Sequence, residues 1–227
     1  MIWQMKLGMP ILAQTRGILI LAFKALPLLL ISFIGFLALG LGNLSLFLLF
    51  IGHATLVPLA TELLHLVFNK SGSLITSNDI SQLVPIIPTS GASYNAPVNV
   101  MPTYWMAHIA FFFGYILTNA ISIYTLPRMK EAADWMVISR QTRAATLIGA
   151  SVVSFLTLSA LRFYLTGSET VAGILLATTV LGGLGAFWYY IASLCGARNS
   201  DIFGVAQQMM SKDSSQDKPM TCVYKPR

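Results

Sequence analysis

A chain of 227 residues that is 56% hydrophobic and only 10% charged is not composed like a soluble domain, where about a quarter of the residues carry charge. With a mean hydropathy of +0.72 it reads as an integral membrane protein of the all-α class, a polytopic bundle of transmembrane helices with about five spans. The net charge of +6 then reports orientation in the bilayer before anything else, and no nucleic-acid partner is expected from it.

Residues 1–17 form an N-terminal segment holding Lys6 and Arg16. The apolar run that follows is too long for the core of a cleavable signal peptide. A span needs about 20 mostly apolar residues, and residues 17–68 supply enough for two. The GLGN of residues 40–43 carries the turn chemistry between them, which predicts helices over 18–41 and 45–68. The third predicted helix, 104–126, is stopped by Pro127; the fourth covers 145–165 and the fifth 170–194. A polar, Pro-rich loop over 69–103 interrupts the bundle of 18–195, and a polar tail over 196–227 is predicted to be flexible.

Basic residues set the orientation. The 69–103 loop has one, Lys70; the connection before helix four has Arg128, Lys130, Arg140 and Arg143; the tail has Arg198, Lys212, Lys218, Lys225 and Arg227. Five spans put the last two groups on one side, as the positive-inside rule asks. The N-terminal Lys6 and Arg16 then fall on the other side, so helix one is alternatively re-entrant or interfacial, leaving four true spans.

Polar residues within spans carry the most information. Lys24 is near enough to the start of helix one to snorkel to the interface. His53 and Pro58 lie mid-way along helix two. Glu62 and His65, three apart, share a face near its end, and Asn119 lies deep in helix three. Glu62, His65, His108 and Arg162 all lie toward the end of the bundle that faces the 69–103 loop and the last turn. Such a cluster is either an active site or a polar network that orients helices. "GGLGA" in helix five, with Gly182, Gly183, Gly185 and Ala186, offers small residues for close packing. Cys195 and Cys222 lack metal-ligand spacing, and the sequence does not establish a disulfide between them. No metal site and no cofactor are expected. The sequons at Asn43 and Asn69 sit against the membrane, where an acceptor is poorly reached.

The order of these features resembles the membrane-bound type 2 phosphatidic acid phosphatases over roughly residues 61–192. That family brings three motifs to one membrane face: Lys-x6-Arg-Pro, Pro-Ser-Gly-His and Ser-Arg-x5-His-x3-Asp. The resemblance implies a histidine nucleophile oriented by an aspartate, a second histidine as acid, and Lys and Arg on phosphate. At the first motif only Lys70 remains. At the second, "PTYW" keeps proline and a hydroxyl (Thr103), with Tyr104 for glycine and Trp105 for histidine. At the third, "LRFYLTGSETVAG" keeps Arg162 but offers Ser168, Glu169 and Thr170 where the nucleophile belongs. With both histidines absent, no catalytic residue is assigned. Arg162, Glu62, His65, Lys70, His108 and Glu169 are candidates for a polar cluster or an anion-binding site, with anionic lipid headgroups as the implied ligand. Arg162 is expected to pair with Glu62, with Glu169 or with such a headgroup. The Pro-x-x-Trp opening and the Tyr-x-Thr-Gly-x-Glu turn also resemble membrane proteins of large DNA viruses, which implies an inner viral membrane.

The expected function is thus a non-catalytic membrane scaffold or anchor with a phosphatase-like bundle. Its partners are the lipid bilayer and, through the 69–103 loop and the tail, a capsid or other membrane proteins. A lipid-phosphate phosphatase with a rearranged site is one alternative. A small transporter or channel is another, although no charged pathway crosses the middle of the spans.

Overall fold

The computed structural model describes residues 18, 22–23, 25–41, 43–70, 102–127, 134–166, 169–195 and 202. The expectations for the N-terminal segment, for Lys24, for most of the 69–103 loop and for the tail lie outside the described residues. Within them every regular element is helical. Helix α1 is Leu26–Leu41. Helix α2 runs from Leu44–Ile51 through a π-helical turn, Gly52–Leu56, into Val57–Lys70. Helix α3 is Tyr104–Thr125. Helix α4 is Asp134–Leu161 with a π-helical last turn, Arg162–Thr166. Helix α5 joins Val171–Leu176, a π turn at Ala177–Leu181, and Gly182–Leu194.

Four of the five contain stretches long and apolar enough to cross a membrane: Leu44–Val67, Tyr104–Thr125, Val137–Tyr164 and Val171–Leu194. The chain is accordingly an integral membrane protein. The 16 residues of α1 rise about 24 Å, short of a hydrocarbon core about 30 Å thick. The turn between α1 and α2 forms as its residues suggest. Asn43 is extended (φ −87°, ψ 109°), and its side-chain oxygen accepts from Ser45 N at 2.9 Å and Leu46 N at 3.4 Å, two of the amides that an N-cap satisfies.

Helix α4 differs from the expectation. It starts at Asp134, not at 145, so much of the predicted basic loop is helical. The extra turns have a physical basis. Asp134 occupies the first turn, where the helix dipole favours an acid. Arg140, 6% exposed, donates from Nη2 to the Leu126 carbonyl at 2.5 Å, satisfying a carbonyl at the C-terminus of α3.

Helix α3 is the hub. Its spanning segment is 67% buried, against 17% for α4 and 22% for α5, and it packs on all four other helices. The outer faces of α4 and α5 are apolar: Val153, Leu156, Leu175 and Phe187 are all exposed, as residues facing lipid should be. The α3–α5 crossing depends on glycine. A Cβ on Gly114 would overlap the Gly182 carbonyl, and one on Gly185 would overlap the Phe111 carbonyl. Two backbones this close leave room only for hydrogen. Gly183 has open space beside it, so of the "GGLGA" glycines it is Gly182 and Gly185 that form the contact.

The π turn of α2 adds a second tie. Trp188 of α5 donates its indole N–H to the Leu48 carbonyl at 2.8 Å. A side chain on Gly52 would overlap that indole. The Leu48 carbonyl accepts this indole N–H in addition to the backbone N–H of Gly52, the first residue of the π turn.

Candidate functional site

The C-terminal half of α2, the start of α3, the end of α4 and the start of α5 meet at one mouth of the bundle. Thr103 begins the site as the N-cap of α3, extended at φ −70° and ψ 151°. Its Oγ1 accepts from Met106 N at 3.2 Å and donates its proton to the Glu169 carboxylate. Arg162 places Nε 3.5 Å from Glu169 Oε1. Its guanidinium carbon lies 5.2 Å from the centroid of the Trp105 ring, within cation–π range. Trp105 donates from Nε1 to the Phe23 carbonyl at 2.9 Å, and the two rings are 5.0 Å apart. Tyr104 donates its hydroxyl to Glu62. His65 donates from Nε2 to the Pro102 carbonyl at 2.9 Å, with its ring edge-on to Tyr104 at 5.4 Å.

Arg162 is 2% exposed and Glu169 5%. Burial pushes the Glu169 carboxyl above its ordinary value, while the Thr103 hydroxyl and the Arg162 charge pull it back. Thr170, the next residue, caps α5 by accepting from Gly173 N at 3.0 Å. One carboxylate therefore engages the N-cap of α3 and the last turn of α4 while lying at the threshold of α5.

The expected partner choice for Arg162 resolves to Glu169. Glu62 goes to Tyr104 instead. Lys70 ends α2, and its side chain lies outside the described residues, as does Ser168. His108 is not part of the mouth network. It stacks on His53, with ring centroids 5.6 Å apart and planes at 15°, and His53 donates from Nε2 to the His108 carbonyl at 3.1 Å. Both rings are buried, His53 completely. The reason is direction: His108 is three residues beyond Trp105, and it faces the π turn of α2 where His53 sits. Phe111 meets the His53 ring edge-on at 4.8 Å, so this deeper pair is enclosed by aromatic carbon.

Among the described residues no three His, Cys, Asp or Glu side chains are grouped to hold a metal ion. What the mouth does chemically is bind itself: Pro102 and Tyr104 hold α2, Thr103 holds Glu169 and Trp105 holds Phe23. Sequence reasoning treated Tyr104 and Trp105 as losses from a motif and missed them as connectors. The available signal was position: Tyr and Trp concentrate where a span meets the interface, each with an apolar ring and a polar tip that seeks a partner. No family model, curated protein or solved structure matches this chain.

Proposed function

We propose that the chain is a non-catalytic, multi-pass membrane scaffold or anchor. One observation supports this above the others. The residues of "PTYW" direct their polar groups at neighbouring segments: Pro102 to His65 of α2, Thr103 to Glu169, Tyr104 to Glu62 of α2, and Trp105 to Phe23. In a hydrolytic site those directions would converge on a substrate; here they converge on the protein, and the product is a fixed arrangement of helices. Arg162, the residue that the phosphatase resemblance would give to phosphate, is covered and faces a carboxylate. On this reading the 69–103 loop and the basic tail are the parts offered to partners, a capsid among them if the bilayer is the inner membrane of a large DNA virus.

The test is turnover. Purified protein in detergent, given phosphatidate or a short-chain lipid phosphate, releases no phosphate above a protein-free micelle blank. Release that His108→Ala abolishes overturns the non-catalytic reading and favours a rearranged hydrolase.

A further inference from the structure

A groove opens sideways between α1, α3 and α4. Leu26, Leu30 and Phe36 line it from α1, Ile109 and Phe113 from α3, and Leu158 from α4; its volume is about 640 Å³, and among the described residues on its wall Ser32 alone is polar. Three aspects of its position bear on what fills it. Its upper end lies about one helical turn beneath the mouth, because Ile109 follows Trp105 by four residues and Leu158 precedes Arg162 by four. From Leu26 to Phe36, α1 rises about 15 Å, which is half the thickness of a hydrocarbon core of about 30 Å. Its outer rim is continuous with the lipid-facing surface, since the rim residues Leu29, Phe33 and Phe36 are 57%, 60% and 76% exposed.

We infer that this groove seats one acyl chain of a bilayer glycerolipid, with the polar end of that lipid at the height of the mouth. A groove one leaflet deep that begins under the polar cluster has the dimensions of a lipid tail hanging from its headgroup. A second copy of the chain, or a partner's helix, would need a surface running the full thickness of the bilayer and admitting a cylinder about 10 Å across. Left empty, the aromatic and leucine walls would lose their packing contacts on one side, and water cannot replace them on an apolar wall. The inference rests on the membrane reading and is independent of whether the protein is catalytic.

The experiment uses the full chain reconstituted in palmitoyl-oleoyl phosphatidylcholine, extracted in mild detergent and measured by native mass spectrometry. One phospholipid mass per chain is expected to persist at detergent excess. Ser32→Trp and Leu158→Trp, which fill the groove from opposite walls, lower that occupancy at least tenfold. Leu156→Trp, on the exposed face of α4 outside the groove, leaves it unchanged. Absence of a retained lipid, or its retention in both filled variants, overturns the inference. So does a wild-type dimer that the filled variants convert to monomer, because the occupant is then a second copy. If the variants do not fold, delipidated wild type is titrated with the same phosphatidylcholine. Thermal stability rises and saturates at one lipid per chain; a rise without saturation refutes a single seat.

Discussion

The Arg162–Glu169 contact makes the sharpest test of how the mouth is held. Glu169→Ala removes the carboxylate facing a guanidinium that is 2% exposed and the acceptor of the Thr103 hydroxyl in one step. Removing one member of a buried ion pair costs about 3–5 kcal/mol, because a charge is left without compensation. A single hydrogen bond between membrane helices is worth far less, about 0.6 kcal/mol on average and about 2 at most. The two magnitudes separate the candidate roles. Glu169→Ala and Arg162→Leu are each expected to cost about 3 kcal/mol or more in reversible unfolding in mixed micelles. The double variant is expected to cost well under their sum, since two apolar replacements leave nothing stranded. Glu62→Ala, which removes the Tyr104 hydrogen bond but strands no buried guanidinium, is expected to cost about 1 kcal/mol. If the Arg162 and Glu169 single variants each lose less than about 1 kcal/mol, or if the double variant is additive, the pair does not hold the mouth and Arg162 is an interfacial anchor.

Gly114→Leu and Gly185→Leu should destabilise by more than the ~1–3 kcal/mol of ordinary overpacking, because the obstacle in each case is backbone; Gly183→Ala, with open space beside it, should leave the melting temperature unchanged. Cysteine labels at Ser81 and Ser139 should react from opposite sides of the membrane; reaction of both from one side would contradict the alternating path of the helices. The Glu169 carboxyl, raised above the ordinary 4.5 by burial, binds its proton more tightly in the folded state. Its contribution is therefore full below 4.5 and is lost as pH rises through the elevated value; Glu169→Gln should flatten that part of the stability–pH profile, and a profile identical to wild type would show that Glu169 does not titrate there.

Much of the bundle was legible because lipid imposes a simple rule. A span must be apolar and about 20 residues long, so the limits of α2, α3 and α5 follow closely from where the apolar runs stop. The start of α4 was not legible in the same way. Residues 134–144 are mixed in polarity, and a helix leaving the bilayer into the headgroup zone has no apolar run to announce it. The π turns are equally silent: "GHATL" and "RFYLT" have nothing in their composition that separates them from ordinary helix. His53 and Arg162, both buried polar side chains, lie on these turns.

The separation of the histidines was not legible either. Residue spacing placed Glu62, His65, His108 and Arg162 at one end, and spacing along a helix fixes height well. It does not fix azimuth relative to a neighbour, and azimuth decides partners. His108 is only one turn below Trp105 yet meets His53, while Trp105 meets Arg162. Set beside the Pro-Ser-Gly-His motif, "PTYW" shares only its proline and a hydroxyl residue. Read as physical chemistry, it is a cap, a phenol, an indole and a carbonyl, each at the height where four segments converge. Writing that motif's letters into the chain by Tyr104→Gly and Trp105→His would delete the Glu62 and Phe23 contacts and the ring over Arg162. The substitutions that would make the segment look catalytic are the ones that would loosen the helices around it.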